Sequence, residues 1–114
     1  MATAYVPDRG DIVWLQFDPQ AGHEQAGHRP AYVVSPRAYN RKVGLALFCP
    51  ITSRVKGYPF EVPLPKGCKA RGAVLSDQLK SLDWKARKAA RFDCATDVVV
   101  QEVTARILAL VDPN

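Results

Sequence analysis

Apolar and polar positions alternate over residues 11–17. Val13, Leu15 and Phe17 fall on one side, Ile12, Trp14 and Gln16 on the other. A period of two predicts a first strand, bounded by Gly10 and by Asp18-Pro19. Residues 18–27 then form a long loop, and long loops in small domains are usually functional or mobile. Residues 31–35 read as a second strand stopped by Pro36, and 37–42 as a polar connection carrying three positive charges. Residues 44–50 are nearly continuous in apolar side chains, which predicts a central third strand with Ile51-Thr52-Ser53-Arg54 at its far end. After a turn at 55–59, an alternating strand covers 60–64. Its Pro63 lacks an N–H and belongs at a sheet edge. A basic loop over 65–72 leads into a strand that starts at 73–75 and runs on to 82. Residues 83–91 can make a helical turn, and 91–94 a last short strand. The C-terminal segment has the 3.6-residue period of a helix. Thr96 or Asp97 caps it, Val100, Val103, Ile107 and Leu110 form the packing stripe, and Asp112-Pro113 ends it. Many short strands and one helix predict a small antiparallel barrel or curled sheet.

Composition narrows this picture. The 114 residues suit one domain spanning 1–114, and 47% apolar residues allow a core without disulfides or metal. Sixteen Lys and Arg against eleven Asp and Glu leave a formal charge of +5, which favours an acidic partner such as nucleic acid. No run of about 20 apolar residues is present to span a bilayer, and residues 1–5 lack the character of a signal peptide. The three cysteines, Cys49, Cys68 and Cys94, include no Cys-x-x-Cys pair. The expectation is a cytoplasmic protein with reduced thiols, no zinc and no membrane contact. Cys49, inside an apolar run, reads as core, and Trp14 as core or as an interface between copies.

Chemistry concentrates in Glu24-Gln25-Ala26-Gly27-His28-Arg29-Pro30. A carboxylate, an imidazole and a guanidinium lie within six positions, and Pro30 biases Arg29 toward an extended backbone. The plain alternative is a surface arginine paired with Glu24.

Six stretches in order carry a resemblance. They are Gly10-Asp11-Ile12-Val13-Trp14 with Phe17-Asp18-Pro19, the 24–30 motif, Pro50-Ile51-Thr52-Ser53-Arg54, Lys56-Gly57-Tyr58-Pro59-Phe60-Glu61-Val62, and Asp77-Gln78-Leu79-Lys80-Ser81-Leu82. Together they resemble the MazF/PemK family of toxin ribonucleases over nearly the whole chain. The resemblance implies a small SH3-like barrel with a C-terminal helix, the CcdB/MazF-type toxin fold, assembled as a homodimer. It also implies an endoribonuclease that cuts single-stranded mRNA at a short sequence without metal or cofactor. An antitoxin would neutralise it by laying an acidic, extended tail across it. The same fold carries CcdB, a gyrase poison, so a non-catalytic toxin acting on a protein target is the alternative, and a non-toxic interaction module a third reading.

Metal-free RNA cleavage uses the substrate's 2′-hydroxyl as nucleophile. It needs charge stabilisation on the phosphate and two proton transfers. By the resemblance Arg29 and Thr52 are the main catalytic residues. Arg29's planar fork suits the non-bridging oxygens, and the Thr52 hydroxyl can donate to one of them, with Ser53 assisting. His28 has a pKa near neutrality and is a proton-transfer candidate, but adjacent residues on a strand face opposite ways. Glu24 can act as base or orient Arg29. For RNA binding, Tyr58 and Phe17 (and Trp84 if exposed) offer stacking surfaces. Gln78 can read a base edge, and Arg54, Lys56 and Lys80 supply charge, flanked by Lys85, Arg87 and Lys88.

Overall fold

The computed structural model describes residues 4–17 and 28–113. The loop expected over 18–27, with Glu24, lies outside the described residues. Among the described residues, seven strands and two helices follow in the order β1 (Asp11–Gln16), β2 (His28–Val33), α1 (Arg37–Val43), β3 (Ala46–Thr52), β4 (Glu61–Pro63), β5 (Ala73–Leu75), β6 (Lys80–Leu82), β7 (Ala90–Cys94) and α2 (Asp97–Val111). All pairings are antiparallel, in the spatial order β4-β5-β3-β2-β1-β7. β5 and β6 take successive stretches of one edge of β3, while β2 takes the other. β4, with Pro63, sits at the end of the order as its missing N–H requires.

The expected barrel is open. β4 and β7 end the order and do not pair with each other, yet the sheet curls far enough to bring its ends together. The Asp93 carboxylate on β7 accepts the Lys69 N–H at 2.7 Å from the loop after β4. The N–H groups of Lys69, Ala70 and Cys94 outweigh desolvation there and hold Asp93 below the usual carboxylate range.

Alternation along the strands sorts the core into two layers. Ile12, Tyr32, Cys49, Ile51, Val62 and Val74 face α2, whose Val99 and Val103 complete that layer. Val13, Leu15, Ala31, Val33, Ala46 and Phe48 face the other way, with Phe17, Leu82 and Trp84 packed against them. Cys49 is core as expected, and burial pushes its thiol up to about 12, so it is inert at neutral pH. Thr96 is the N-cap of α2, accepting the Val99 N–H at 3.3 Å. Leu110 leaves the packing stripe and is 51% exposed, because α2 runs on past the sheet.

Three expectations change. Residues 37–43 form α1 rather than an irregular connection, closed by Gly44 at φ 82° with its N–H on the Asn40 carbonyl. Asn40 is fully buried. Its side chain donates to the Pro7 and Ser35 carbonyls, and its own carbonyl takes the Trp84 indole N–H. Trp84 is thereby withdrawn from any stacking role. Second, the strand expected to run from 73 to 82 breaks into β5 and β6: Ser76 still follows the β4–β5 register with its N–H on the Phe60 carbonyl, and the chain then turns, with the Gln78 N–H closing onto the Leu75 carbonyl. Third, of the two readings of Trp14, core or interface, the first does not hold: it is 37% exposed and stacks on Phe92 at 4.5 Å. The basic turn after β6 is capped by Asp83, whose Oδ1 accepts from Lys85 and Ala86. It closes with Ala89 N–H on Trp84 and Lys88 N–H on Lys85, which places Lys88 at φ 57°, the left-handed position of a Schellman closure.

Candidate active site

The site residues gather where β1 ends, β2 begins and β3 ends. β2 and β3 pair as Ala31↔Pro50, Tyr32↔Cys49 and Val33↔Phe48. The pairs end at Ala31↔Pro50, and that register carried on by two residues would set Arg29 across from Thr52. Arg29 pairs with Leu15 on its other side, so it shares the face of Leu15, Ala31 and Val33. It is exposed. Phe17 and Lys80 lie on the same face, the Lys80 ammonium 5.8 Å from the Phe17 ring centre. Arg87 fixes this end of β1 by donating to the Gln16 and Phe17 carbonyls at 3.2 and 2.6 Å. It thereby buttresses the strand end at which Phe17 sits.

Beside Thr52 opens a cleft of about 320 Å³ lined by Thr52, Arg54, Lys56, Tyr58, Glu61, Leu75 and Gln78. The Thr52 Oγ1 accepts the Arg54 N–H at 3.1 Å, which orients the hydroxyl and leaves its own proton for a phosphate oxygen. Arg54 and Lys56 are exposed, and neither belongs to the ion pairs found among the described residues, Arg37–Asp8 and Arg106–Glu102. The Tyr58 hydroxyl donates to Asp77 Oδ2. That bond, then desolvation, then the charges of Asp77 and Glu61 push the phenol above its ordinary value. Tyr58 therefore stays a neutral ring, suited to stacking and not to proton abstraction. Ser53 is exposed at the turn after β3.

His28 goes elsewhere. Its ring packs 5.2 Å from Trp14, on the face opposite Arg29, as the strand alternation dictates. The structure thus brings Thr52, Arg54, Lys56, Tyr58 and Gln78 to one cleft and sets Lys80 beside Phe17, with Arg29 exposed at the start of β2, while His28 packs on Trp14. Sequence reasoning assigned no role to Glu61, Leu75 or Asp77, which shape the cleft. Their signal was faint: Glu61 occupies a strand position whose burial a charged residue conceals. Among the described residues, no three His, Cys, Asp or Glu side chains cluster as a metal site requires. No helix among them is long and apolar enough to cross a membrane.

Residues 8–111 match the family described as PemK-like, MazF-like toxin of type II toxin-antitoxin system. This chain belongs to that family. The MazF endoribonuclease toxin of Escherichia coli K12 is 48% identical over 111 residues, covering 97% of this chain and 99% of the relative. A MazF crystal structure from Deinococcus radiodurans is 53% identical with a TM-score of 0.85, covering 95% of this chain and 98% of that one. A MazE–MazF structure from the same organism matches at 45% identity and a TM-score of 0.86, over 97% of this chain and 100% of that one. The MazF fold is therefore this chain's fold.

Proposed function

We propose that this toxin inhibits translation and growth by cutting single-stranded mRNA at a short sequence, with no metal in the reaction. Its place among the MazF and PemK endoribonucleases favours catalysis over a CcdB-type blockade of a protein target. What supports the mechanism is an exposed guanidinium, Arg29, at the start of β2, which the β2–β3 register, carried two residues past its last pair, would set across from Thr52.

The ribose 2′-oxygen attacks the adjacent phosphorus and gives up its proton. The bond to the 5′-oxygen breaks, and that oxygen takes a proton. The products are a 2′,3′-cyclic phosphate and a 5′-hydroxyl. Between them lies a five-coordinate phosphorus with extra negative charge on its non-bridging oxygens. Arg29 grips two of those oxygens and Thr52 Oγ1–H donates to one, with Ser53 beside it. Donors already in place at the developing charge are usually the largest catalytic contribution. Glu24 and His28 are the proton-transfer candidates, and His28 would need to leave Trp14 to serve. Tyr58 and Phe17 stack on bases, Gln78 reads a base edge, and Arg54, Lys56 and Lys80 hold the backbone. The purified protein is expected to cleave a long single-stranded RNA in excess EDTA and leave a cyclic phosphate. A requirement for magnesium, or a 3′-hydroxyl product, would overturn the mechanism.

The toxin's partner is an antitoxin, as the MazE–MazF complexes of Deinococcus radiodurans suggest. An acidic, extended tail crossing the Arg29–Lys56 cleft fits the cations gathered there. The toxin itself is a homodimer: Trp14 and the exposed Leu108, Leu110 and Val111 of α2 need cover. Sedimentation equilibrium at micromolar concentration should give twice the 12.6 kDa of one chain, and a monomer there refutes the dimer.

A further inference from the structure

The turn between β3 and β4 has an unusual anchor. Glu61, at the start of β4, is 7% exposed and borders a cleft otherwise rich in cations. Its Oε1 accepts three successive backbone N–H groups, those of Lys56 at 3.0 Å, Gly57 at 2.9 Å and Tyr58 at 3.3 Å. Oε2 shares the Lys56 N–H at 3.2 Å. The Glu61 N–H closes the turn from the other side onto the Tyr58 carbonyl at 3.0 Å. Gly57 supplies the positive φ of 79° that lets the three N–H groups converge.

Successive N–H groups aimed at one point form a nest, a concavity that ordinarily holds an anion. Here the protein's own carboxylate fills it. Two consequences follow. The turn cannot offer its backbone to an RNA phosphate, so phosphate contact falls to the Arg54 and Lys56 side chains. And the position of the Lys56 and Tyr58 side chains is set by one buried carboxylate.

We infer that Glu61 is a positioning residue for the RNA: by clamping the Lys56-Gly57-Tyr58 turn it fixes the stacking ring and the backbone-gripping cation, and so sets substrate affinity rather than the rate of the chemical step. The ring is held from its other end by Asp77, so Glu61 governs the base of the side chain and Asp77 its tip. The carboxylate touches no reacting atom. Its role in RNA binding rests on the ribonuclease reading above, but the clamp itself does not.

The test uses an RNA carrying one cut site mapped with the wild-type protein, together with amide hydrogen exchange. In Glu61→Ala the three amides lose their acceptor. KM is expected to rise about tenfold while kcat stays within about twofold, the signature of lost ground-state binding. Exchange protection at residues 56–58 should vanish while that of β1–β3 persists. Glu61→Gln keeps an oxygen at the Oε1 position, so its KM should stay within about threefold of wild type. Should Glu61→Ala fail to fold, Gly57→Val loosens the same turn from the opposite side. Nothing lies within 4 Å of a Cβ at Gly57, so only the positive φ opposes the change, and the same rise in KM is expected. A folded Glu61→Ala with wild-type KM overturns the inference, as does a fall in kcat at unchanged KM, or unprotected amides at 56–58 in the wild type. Absence of any cleavage by the wild type overturns the ribonuclease reading and the RNA role together. Cleavage that survives with unchanged KM removes the Glu61 role alone.

Discussion

Arg29→Ala is expected to lower kcat/KM for RNA cleavage by about three orders of magnitude, the scale seen when a preorganised donor to a developing oxyanion is removed. Stability should barely change. Arg29 is exposed at the first turn-out of β2, and surface substitutions of that kind stay within about 0.5 kcal/mol. Arg29→Lys separates charge from geometry. An ammonium restores the positive charge but not the fork that meets two phosphate oxygens, so activity should recover by no more than about tenfold. Initial rates on the mapped RNA and a thermal melt decide the matter. An alanine variant that cuts at the wild-type rate would remove Arg29 from the site. A variant that is inactive because it is unfolded would show in the melt.

The legible parts of this chain were those in which one period holds over several residues. β1, β3 and α2 announced themselves by alternation, by a continuous apolar run and by a helical stripe. The edge position of β4 followed from a single proline. What escaped had no such local code. Residues 37–43 contain no apolar stripe, and α1 exists because Asn40 is drawn into a buried hydrogen-bond hub with Pro7, Ser35 and Trp84. Two of those partners, Pro7 and Trp84, are distant in sequence. The break between β5 and β6 is a turn closed by the Gln78 N–H on the Leu75 carbonyl, after β5 has used its pairing with β4 as far as Ser76.

The site divides in the same way. The motif residues marked Arg29 and Thr52, and the odd-even rule already set His28 against Arg29. The β2–β3 register, whose extension would set Arg29 across from Thr52, is a property of strand pairing, invisible in one dimension. Glu61 escaped for a different reason: nothing in Phe60-Glu61-Val62 distinguishes a carboxylate turned inward onto backbone amides from one turned out to water.

Gly72→Ala should be the most damaging small substitution in the described chain, because it strikes the fold and the site at one point. Gly72 has φ 110°, a conformation that L side chains rarely adopt. A Cβ there would overlap the Thr52 carbonyl oxygen, lie 2.8 Å from the Thr52 carbonyl carbon and 3.0 Å from Ser53 Cα. These are backbone atoms of a strand end, not the tip of a flexible side chain. Gly72 cannot retreat freely either, since its carbonyl accepts the Leu64 N–H at 2.9 Å and Ala73 pairs with both Thr52 and Pro63. The expected cost is about 3 kcal/mol, combining backbone strain with steric overlap. For a domain of this size that lowers Tm by roughly 10 °C. Activity should fall beyond what stability explains: the atoms that must move belong to Thr52 and Ser53, and a shift of about 1 Å at a reacting centre costs about a hundredfold. Gly44→Ala is the control. Gly44 also has a positive φ, 82°, but a Cβ there meets nothing within 4 Å, and it closes α1 at the far end of β2 and β3 from Arg29 and Thr52. It should cost about 1 kcal/mol and leave kcat/KM unchanged below its melting range. Equal effects of the two substitutions on Tm and on cleavage would mean that the contact of Gly72 with the end of β3 does not position Thr52.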